Sequence, residues 1–425
     1  MDLNIGLYCN REIHCSCGHI HYCPIEQVEI GPGALEKLPE LLAAYHHILL
    51  VADTHTDAAC GQRVRALLGE RVQGYLIYRR PGLLVPDERA VAELEDALTV
   101  DTDFILGVGS GVINDTCKYV SWQRGMEYAI VATAPSMDGY ASSGAAMITG
   151  GMKVTYTTHP PKMIVGDVAV LRDAPLEMIR AGYGDIIGKY SSLNDWRLSH
   201  LMRGEHFCQE IYDLVLGVTN DIRDVAERIV DREDQAIIDL TKALVLIGVT
   251  LSLLGSTRPG SGSEHHLSHF FEIVGLVHHQ PHFPHGTDVA YATEVTAGMR
   301  EEILALPEPV FQAEEPAARE AAWQRIYGPV AAEVAALQRE AGWYEEDMRP
   351  AYREKWGEIR QILAECPTAA ECRTMLTRAG FDLAAFEGMY GREKIRDAMF
   401  YGKDLKNRYS VLWLYYDLFS GSRQG

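Results

Sequence analysis

Residues 103–115 read DFILGVGSGVIND and join an apolar run to a glycine-rich turn. The run predicts a buried strand, and the residues from Val112 onward predict a helix that begins directly after the turn. Glycines let backbone N–H groups approach a phosphate, and a helix N-terminus adds partial positive charge. The stretch therefore predicts a nucleotide-binding turn. A tight turn without a ligand is the alternative, because the spacing is not the usual G-x-G-x-x-G.

Strand-like and helix-like runs alternate around this turn over residues 25–170. The strand-like runs are IEQVEIG, HHILLVAD, VQGYLIYRR and YAIVATAP, and helical spacing appears in PGALEKLPELLAAY and PDERAVAELEDAL. Such alternation predicts a parallel sheet with helical crossovers. We expect an α/β nucleotide-binding domain over residues 1–175.

Helical periodicity dominates after about Val170, and strand-like runs disappear. We therefore expect a second, all-helical domain over residues 176–425. The segment beyond residue 300 is amphipathic helix interrupted by Pro307, Pro309 and Pro316.

Composition excludes several classes of partner. The 39 basic and 59 acidic residues give a formal net charge of −20, which argues against nucleic acid. The most apolar stretch, Ala243 to Gly255, is shorter than the roughly 20 residues that span a bilayer, so it predicts a buried helix and no membrane insertion. The first twenty residues lack a secretory signal pattern, and we expect a cytoplasmic protein with reduced cysteines. We also expect a homo-oligomer, whose interface no sequence pattern identifies.

A cluster of cysteines and histidines, HCSCGHIHYC, lies at residues 14–23. Cys15, Cys17 and Cys23 with the histidines have the chemistry of a zinc site, but C-x-C is tighter than the usual C-x2-C spacing. The alternative is a turn between two short N-terminal strands.

Histidines concentrate between residues 265 and 285, which hold seven of the sixteen in the chain. His265 and His269 are four residues apart and share one face of a predicted helix. Several imidazoles beside one carboxylate suit a zinc-like ion, and three protein ligands with one open position define a catalytic metal site. The seven histidines are His265, His266, His269, His278, His279, His282 and His285.

Three polar features have both a functional and an ordinary interpretation. Asp185, in GYGDIIGKY, stands at the predicted start of an apolar helix, where a carboxylate usually caps the helix. Asp53 ends the run ILLVAD, where it would contact a ribose or cap the next helix. The segment TAPSMDGYASS, residues 133–143, contains Asp138 and is either part of a ligand site or an ordinary loop.

Six blocks occur in an order that resembles one enzyme superfamily. They are GVGSGVINDTCKY, ATAPSMDGYASSGAAM, THPPKMIVGD, APLEMIRAGYGDIIGKYSSLNDW, RPGSGSEHHLSHFFE and HGTDVA. The chain resembles the group that unites iron-type alcohol dehydrogenases, glycerol dehydrogenases and dehydroquinate synthases, and within it the sn-glycerol-1-phosphate dehydrogenases. The resemblance covers residues 25–295 and implies the dehydroquinate synthase-like fold.

The resemblance also implies site residues and cofactors. The metal ligands are Asp185, His265 and His285, and His269 and Asp138 face the substrate with Asp185. The cofactor is NAD(H) or NADP(H), and the one divalent metal is zinc or nickel, since His and Asp ligands accept either. The implied cofactor-binding residues are Asp53, Gly109, Ser110, Gly111, Val112, Ile113, Asn114, Asp115, Thr133, Ala134, Pro135, Ser136 and Ser142.

The implied reaction is reversible reduction of dihydroxyacetone phosphate to sn-glycerol 1-phosphate. His269 would relay the proton and Asp138 would orient a substrate hydroxyl. The substrate phosphate needs a cation, for which the candidates are Lys153, His159, Lys162 and Lys189. The alternatives are a glycerol or other polyol dehydrogenase, a sugar-phosphate cyclase like dehydroquinate synthase, and a catalytically silent nucleotide or metal sensor.

Overall fold

The computed structural model describes residues 3–150, 152–312 and 314–421. The chain forms two compact units. Unit 1 contains Met1–Ile186 and Asp224–Thr257, and unit 2 contains Ile187–Arg223 and Arg258–Gly425.

Unit 1 is built on a six-stranded sheet in which every neighbouring pair is parallel. Its strands follow the order β3-β10-β7-β6-β4-β5, and two antiparallel hairpins, β1-β2 and β8-β9, lie outside it. The strands are β1 (Glu12–His14), β2 (Ile20–Tyr22), β3 (Gln27–Gly31), β4 (Ile48–Asp53), β5 (Val72–Tyr78), β6 (Phe104–Gly109), β7 (Tyr128–Ala132), β8 (Gly144–Thr149), β9 (Met152–Thr157) and β10 (Met163–Asp167).

The predicted parallel sheet and α/β fold class are confirmed. Strands β4, β6 and β7 are almost entirely buried, as expected for parallel strands covered by helices on both faces. Full burial of one leucine, isoleucine or valine stabilises the fold by about 1.5–3 kcal/mol, so these continuous apolar runs fix the sheet interior. The β8-β9 hairpin and β10 were not predicted as strands, because each is only five or six residues long and β8 and β9 mix polar with apolar residues.

The helices of unit 1 include the crossovers between strands. They are α1 (Leu38–Leu41), α2 (Thr54–Thr56), α3 (Gln62–Leu68), α4 (Glu88–Ala97), α5 (Gly111–Arg124), α6 (Val168–Arg172), α7 (Leu176–Ile187), α10 (Ala226–Val230) and α11 (Asp234–Leu254). Strand β4 lies between β5 and β6. The chain therefore runs from β4 to β5 on one side of β4 and then crosses to β6 on its other side. Ligands of open α/β sheets bind at such a switch point, beside the carboxyl ends of the strands.

The described part of unit 2 contains helices and no strand. Its helices are α8 (Lys189–Arg203), α9 (Gln209–Arg223), α12 (Ser263–His278), α13 (His285–Leu304), α14 (Pro316–Tyr327), α15 (Ala331–Ala341), α16 (Arg349–Glu354), α17 (Trp356–Leu363), α18 (Ala369–Arg378), α19 (Leu383–Tyr401) and α20 (Val411–Phe419).

The compact units do not follow the single predicted boundary between residues 175 and 176. Helix α7, apart from its last residue, and helices α10 and α11 belong to unit 1. The reason is close packing against the loop after β7. A Cβ atom added at Gly182 of α7 would collide with the carbonyl oxygen of Pro135, and one added at Gly248 of α11 would collide with that of Asp138. Helical periodicity alone does not reveal which layer a helix packs against.

Helix α11 contains the apolar stretch that the sequence predicts to be a buried helix. It is long and apolar enough to cross a membrane, but 83% of its most apolar window is buried inside the protein. The burial confirms the predicted core helix.

Replacing Gly182 by alanine should destabilise the protein. The new methyl group has no room beside the Pro135 carbonyl, and overpacking of this kind costs about 1–3 kcal/mol. Gly217→Ala is the matched control, because Gly217 is exposed within α9 and its Cβ meets no atom. The control should gain up to about 1 kcal/mol from helix propensity. Urea unfolding of the two variants measures the difference, and equal stability would contradict the packing.

Candidate active site

The predicted cofactor residues gather at the carboxyl ends of three adjacent strands, β4, β6 and β7. Helix α5 begins at Gly111, and the side chain of its N-cap residue, Ser110, does not cap it. Instead, the Ser110 hydroxyl lies 2.6 Å from the Ser136 hydroxyl. The first backbone amides of α5 are therefore not occupied by that side chain, which suits a phosphate at the helix N-terminus.

Asp53 adopts the capping arrangement. Its carboxylate accepts hydrogen bonds from the backbone N–H groups of His55 and Thr56, at 2.8 and 2.9 Å, and Thr56 completes a capping box. Both bonds use one carboxylate oxygen, Oδ1. Asp53 thus caps helix α2, and its contact with a ribose stays a prediction.

Two predicted cofactor residues instead support the loop that follows β7. The Asn114 side chain donates to the carbonyl oxygen of Gly139 at 3.3 Å, and the Asp115 carboxylate accepts the N–H of Ala146 at 3.2 Å. Lys118, which is fully buried, donates to the carbonyl oxygens of Gly139 and Gly144 at 3.0 and 2.8 Å. Burial lowers the pKa of this ammonium group, and its nearest counter-charge is Asp115 at 3.6 Å. Sequence reasoning missed Lys118, although it lies one turn after Asn114 on the same face.

Asp185 does not have the position that the sequence predicts. Helix α7 runs from Leu176 to Ile187, so Asp185 lies in its last turn and is not an N-terminal cap. It is fully buried, and its carboxylate accepts the backbone N–H of Asp138 at 2.9 Å. A carboxylate at this end of a helix is disfavoured by the helix dipole. A buried acid kept at such a cost is a candidate cation ligand, and the hydrogen bond connects it to the loop that carries Asp138.

Three of the seven clustered histidines form a triangle within unit 2. The ring centroids of His265 and His285 are 5.0 Å apart, those of His269 and His285 are 5.4 Å apart, and those of His265 and His269 are 6.1 Å apart. His265 and His269 lie one turn apart on α12, and His285 begins α13.

Carboxylates orient two of these rings. The Nδ1 atom of His265 lies 2.7 Å from a Glu264 oxygen, and that of His285 lies 2.9 Å from a Glu272 oxygen. A carboxylate only accepts hydrogen bonds, so each Nδ1 carries the proton and each Nε2 presents a lone pair. Metal-binding histidines show this pattern. The sequence carries a signal for both acids, since Glu264 adjoins His265 and Glu272 follows His269 by three residues.

A second set of potential ligands overlaps the first. Nitrogen or oxygen atoms of His269, Glu272 and His285 all lie within 4.8 Å of one another. However, Glu272 already accepts the hydrogen bond from His285, and this contact suits an orienting role better than metal ligation.

The other four histidines are not part of this triangle. His266 is fully buried. Burial is the main cause that lowers its pKa well below the usual range, and nearby cations lower it further, so the ring is neutral. The His278 ring contacts the Ile326 carbonyl oxygen at 2.8 Å, and the His282 ring contacts that of Phe283 at 2.8 Å. His279 follows α12 as its C-cap residue and adopts the left-handed conformation.

The four candidate phosphate ligands differ in their surroundings. His159 uses both ring nitrogens, toward Ser121 and Pro160. Lys162 forms ion pairs with Glu26 and Glu127. Lys189 is fully buried and donates to the Gly260 carbonyl oxygen at 2.9 Å. Lys153 is half-buried on β9.

Comparison with known proteins first defines the class. A sequence model of the iron-containing alcohol dehydrogenases matches residues 29–175. The structure of sulfoacetaldehyde reductase from Bifidobacterium kashiwanohense in complex with NAD+ is similar with a TM-score of 0.62 at 13% identity. The similarity covers 95% of this chain and 99% of that one, which shows a shared fold.

Two relatives then define the family. Glycerol-1-phosphate dehydrogenase (NAD(P)+) from Halalkalibacterium halodurans is 35% identical over 292 residues, which are 67% of this chain and 73% of the relative. The enzyme of the same name from Geobacillus stearothermophilus is 30% identical over 380 residues, 87% of each chain. The chain belongs to the glycerol-1-phosphate dehydrogenase family and is an NAD(P)-dependent, metal-dependent oxidoreductase. The predicted family and enzyme class are confirmed.

Replacing Glu272 by glutamine should weaken metal binding by about 10- to 100-fold, because the His285 ring loses the charged acceptor that orients it. Glu301→Gln, an exposed change on α13, is the control and should bind metal like the unchanged protein. Competition with a chelator measures both affinities. Unchanged affinity in Glu272→Gln would show that Glu272 does not orient a metal ligand.

Proposed function

We propose that this chain reduces dihydroxyacetone phosphate to sn-glycerol 1-phosphate, and that Asp185, His265 and His285 hold its divalent metal. Support comes from the two relatives of that name, which are 35% and 30% identical to this chain. It also comes from the polar residues at the strand ends of unit 1 and from the oriented imidazoles of unit 2. The observation that carries the metal assignment is the pair of imidazoles with carboxylate-bound Nδ1 atoms. Zinc and nickel both accept imidazole and carboxylate ligands.

The metal, when bound, would polarise the substrate carbonyl and stabilise negative charge on its oxygen as hydride arrives from the nicotinamide. The protein's task is then to orient the substrate and to supply a proton. A ring nitrogen of His269 would supply the proton, since imidazole titrates near neutrality. Asp138 would accept a hydrogen bond from a substrate hydroxyl, and its main chain is held by Asp185.

The cofactor would bind at the carboxyl ends of β4, β6 and β7. Its phosphates would meet the first amides of α5, which the Ser110 side chain does not cap. The Asn114 and Asp115 side chains would act indirectly, because Asn114 holds the loop at Gly139 and Asp115 holds strand β8 at Ala146. Thr133 and Ser142, both buried, would complete the polar lining.

The enzyme should oxidise NADH or NADPH with dihydroxyacetone phosphate after chelator treatment and reloading with zinc or nickel. Dihydroxyacetone and a cyclisable sugar phosphate, tested in parallel, separate the polyol dehydrogenase and cyclase alternatives. Asp185→Asn should lose both metal retention and turnover, while Asp173→Asn, an exposed change, should keep both. The proposal is overturned if the wild-type protein binds NADH but turns over none of these substrates with either metal. That result would identify a silent sensor.

The substrate phosphate gives a further test, and we propose that it binds Lys153, whose positive charge acts on the carboxylate of Asp115 in helix α5. Charged hydrogen bonds contribute about 1.5–3 kcal/mol, so Lys153→Ala should raise KM for dihydroxyacetone phosphate about 10- to 100-fold. KM for dihydroxyacetone should change little, because it carries no phosphate. Lys162→Ala is the control, since Lys162 already pairs with two glutamates. Equal changes for both substrates would exclude Lys153 as the phosphate ligand.

A further inference from the structure

The N-terminal hairpin of unit 1 has no part in the proposed reaction. Strands β1 and β2 pair antiparallel with Ile13 opposite His21, and the turn between them contains Cys15 and Cys17. The turn closes through two backbone hydrogen bonds between Cys15 and the residues Gly18 and His19, at 3.1 and 3.2 Å. The predicted turn between two short strands is therefore confirmed, and the ligand chemistry of the cluster needs a separate explanation.

Three potential ligand atoms of the hairpin lie at the separations that a tetrahedral metal requires. The Cys17 Sγ atom is 3.3 Å from the His21 Nε2 atom, and the Cys15 Sγ atom lies within 4.8 Å of both. Zinc binds sulfur at about 2.3 Å and nitrogen at about 2.0 Å, so a sulfur and a nitrogen on one tetrahedral ion are about 3.6 Å apart. The hairpin thus gathers these atoms around a volume of the size of one ion.

The His21 ring is fixed in the orientation of a ligand. Its side chain is buried, and its Nδ1 atom lies 2.9 Å from the Leu253 carbonyl oxygen. That oxygen only accepts hydrogen bonds, so Nδ1 carries the proton and the Nε2 lone pair faces Cys17. Leu253 belongs to the last turn of α11, where backbone carbonyls have no partner within the helix.

The two sulfur atoms are arranged for metal binding as well. The backbone N–H of Cys17 points to the Cys15 sulfur at 3.5 Å, a contact that stabilises a thiolate. No disulfide among the described residues includes either cysteine. Thiolate is the form that binds metal, and a ligand set of sulfur and imidazole favours zinc over hard cations.

We propose that Cys15, Cys17 and His21 bind a structural zinc ion, separate from the catalytic metal. The ion would fasten the hairpin to the end of α11 through His21 and Leu253. Because Gly248 of α11 lies against the Asp138 carbonyl, the same helix supports the loop that carries Asp138. The site would therefore stabilise the N-terminal segment and one support of that loop without contacting the substrate.

Cobalt titration of the metal-stripped full chain tests the site directly. We expect two equivalents of cobalt per chain, one of which gives a thiolate-to-cobalt charge-transfer absorption. The catalytic ligands contain no sulfur, so this band reports the hairpin alone. In the zinc-loaded protein, X-ray absorption should show an average of at least one sulfur ligand per zinc ion, because the two sulfurs of the hairpin site are averaged over two ions. A titration of the unchanged protein without the charge-transfer band overturns the proposal.

Variants separate this site from the catalytic one. Cys15→Ser and Cys17→Ser should each lose one equivalent of metal and the charge-transfer band. His21→Ala should do the same, and His14→Ala, an exposed histidine of the same hairpin, is its matched control and should keep both. Asp185→Asn should lose the other equivalent and retain the band. If the serine variants bind as much metal as the wild-type protein, the proposal is wrong. If the variants do not fold, the cobalt titration of the wild-type protein is the test of the proposal.

Discussion

The close approach of two helices to the loop after β7 is the constraint on which the organisation of unit 1 depends. Gly182 and Gly248 leave room for the carbonyl oxygens of Pro135 and Asp138, so α7 and α11 pack directly against the backbone of this loop. Contact at that distance places the Asp185 carboxylate within hydrogen-bonding range of the Asp138 N–H. A side chain at either glycine would separate the layers and break this bond.

The loop is held from its other side by buried polar groups. Lys118 and Asn114 bind its carbonyl oxygens, and Asp115 binds the following strand. Burying an ammonium and a carboxylate costs free energy, which hydrogen bonds and their mutual attraction offset. The loop between β7 and β8 is thus fixed by helix α5, whose N-terminus forms the proposed phosphate site. The proposed cofactor site and Asp138, the proposed substrate-orienting residue, therefore share one support.

In unit 2, carboxylates hold the proposed metal ligands in place. Glu264 and Glu272 fix the tautomer and direction of two imidazoles, so that their Nε2 atoms are ready for a cation without rearrangement. In the N-terminal hairpin a helix carbonyl has that role for His21. The same physical device, a fixed acceptor at Nδ1, therefore marks both proposed metal sites, although their ligand chemistry differs.

The sequence alone determined the parallel sheet, the helical second part and the family, because continuous apolar strands, helical periodicity and several ordered motifs are local properties. It also located the histidine cluster, but spacing did not separate His265, His269 and His285 from the other four. Tertiary structure decided that separation, since two residues of α12 meet the first residue of α13 only after the helices pack. It also moved Asp185 from a helix start to a helix end and assigned α7 and α11 to unit 1. Both outcomes depend on which surfaces meet, and periodicity records only that a helix has an apolar face, without identifying its partner.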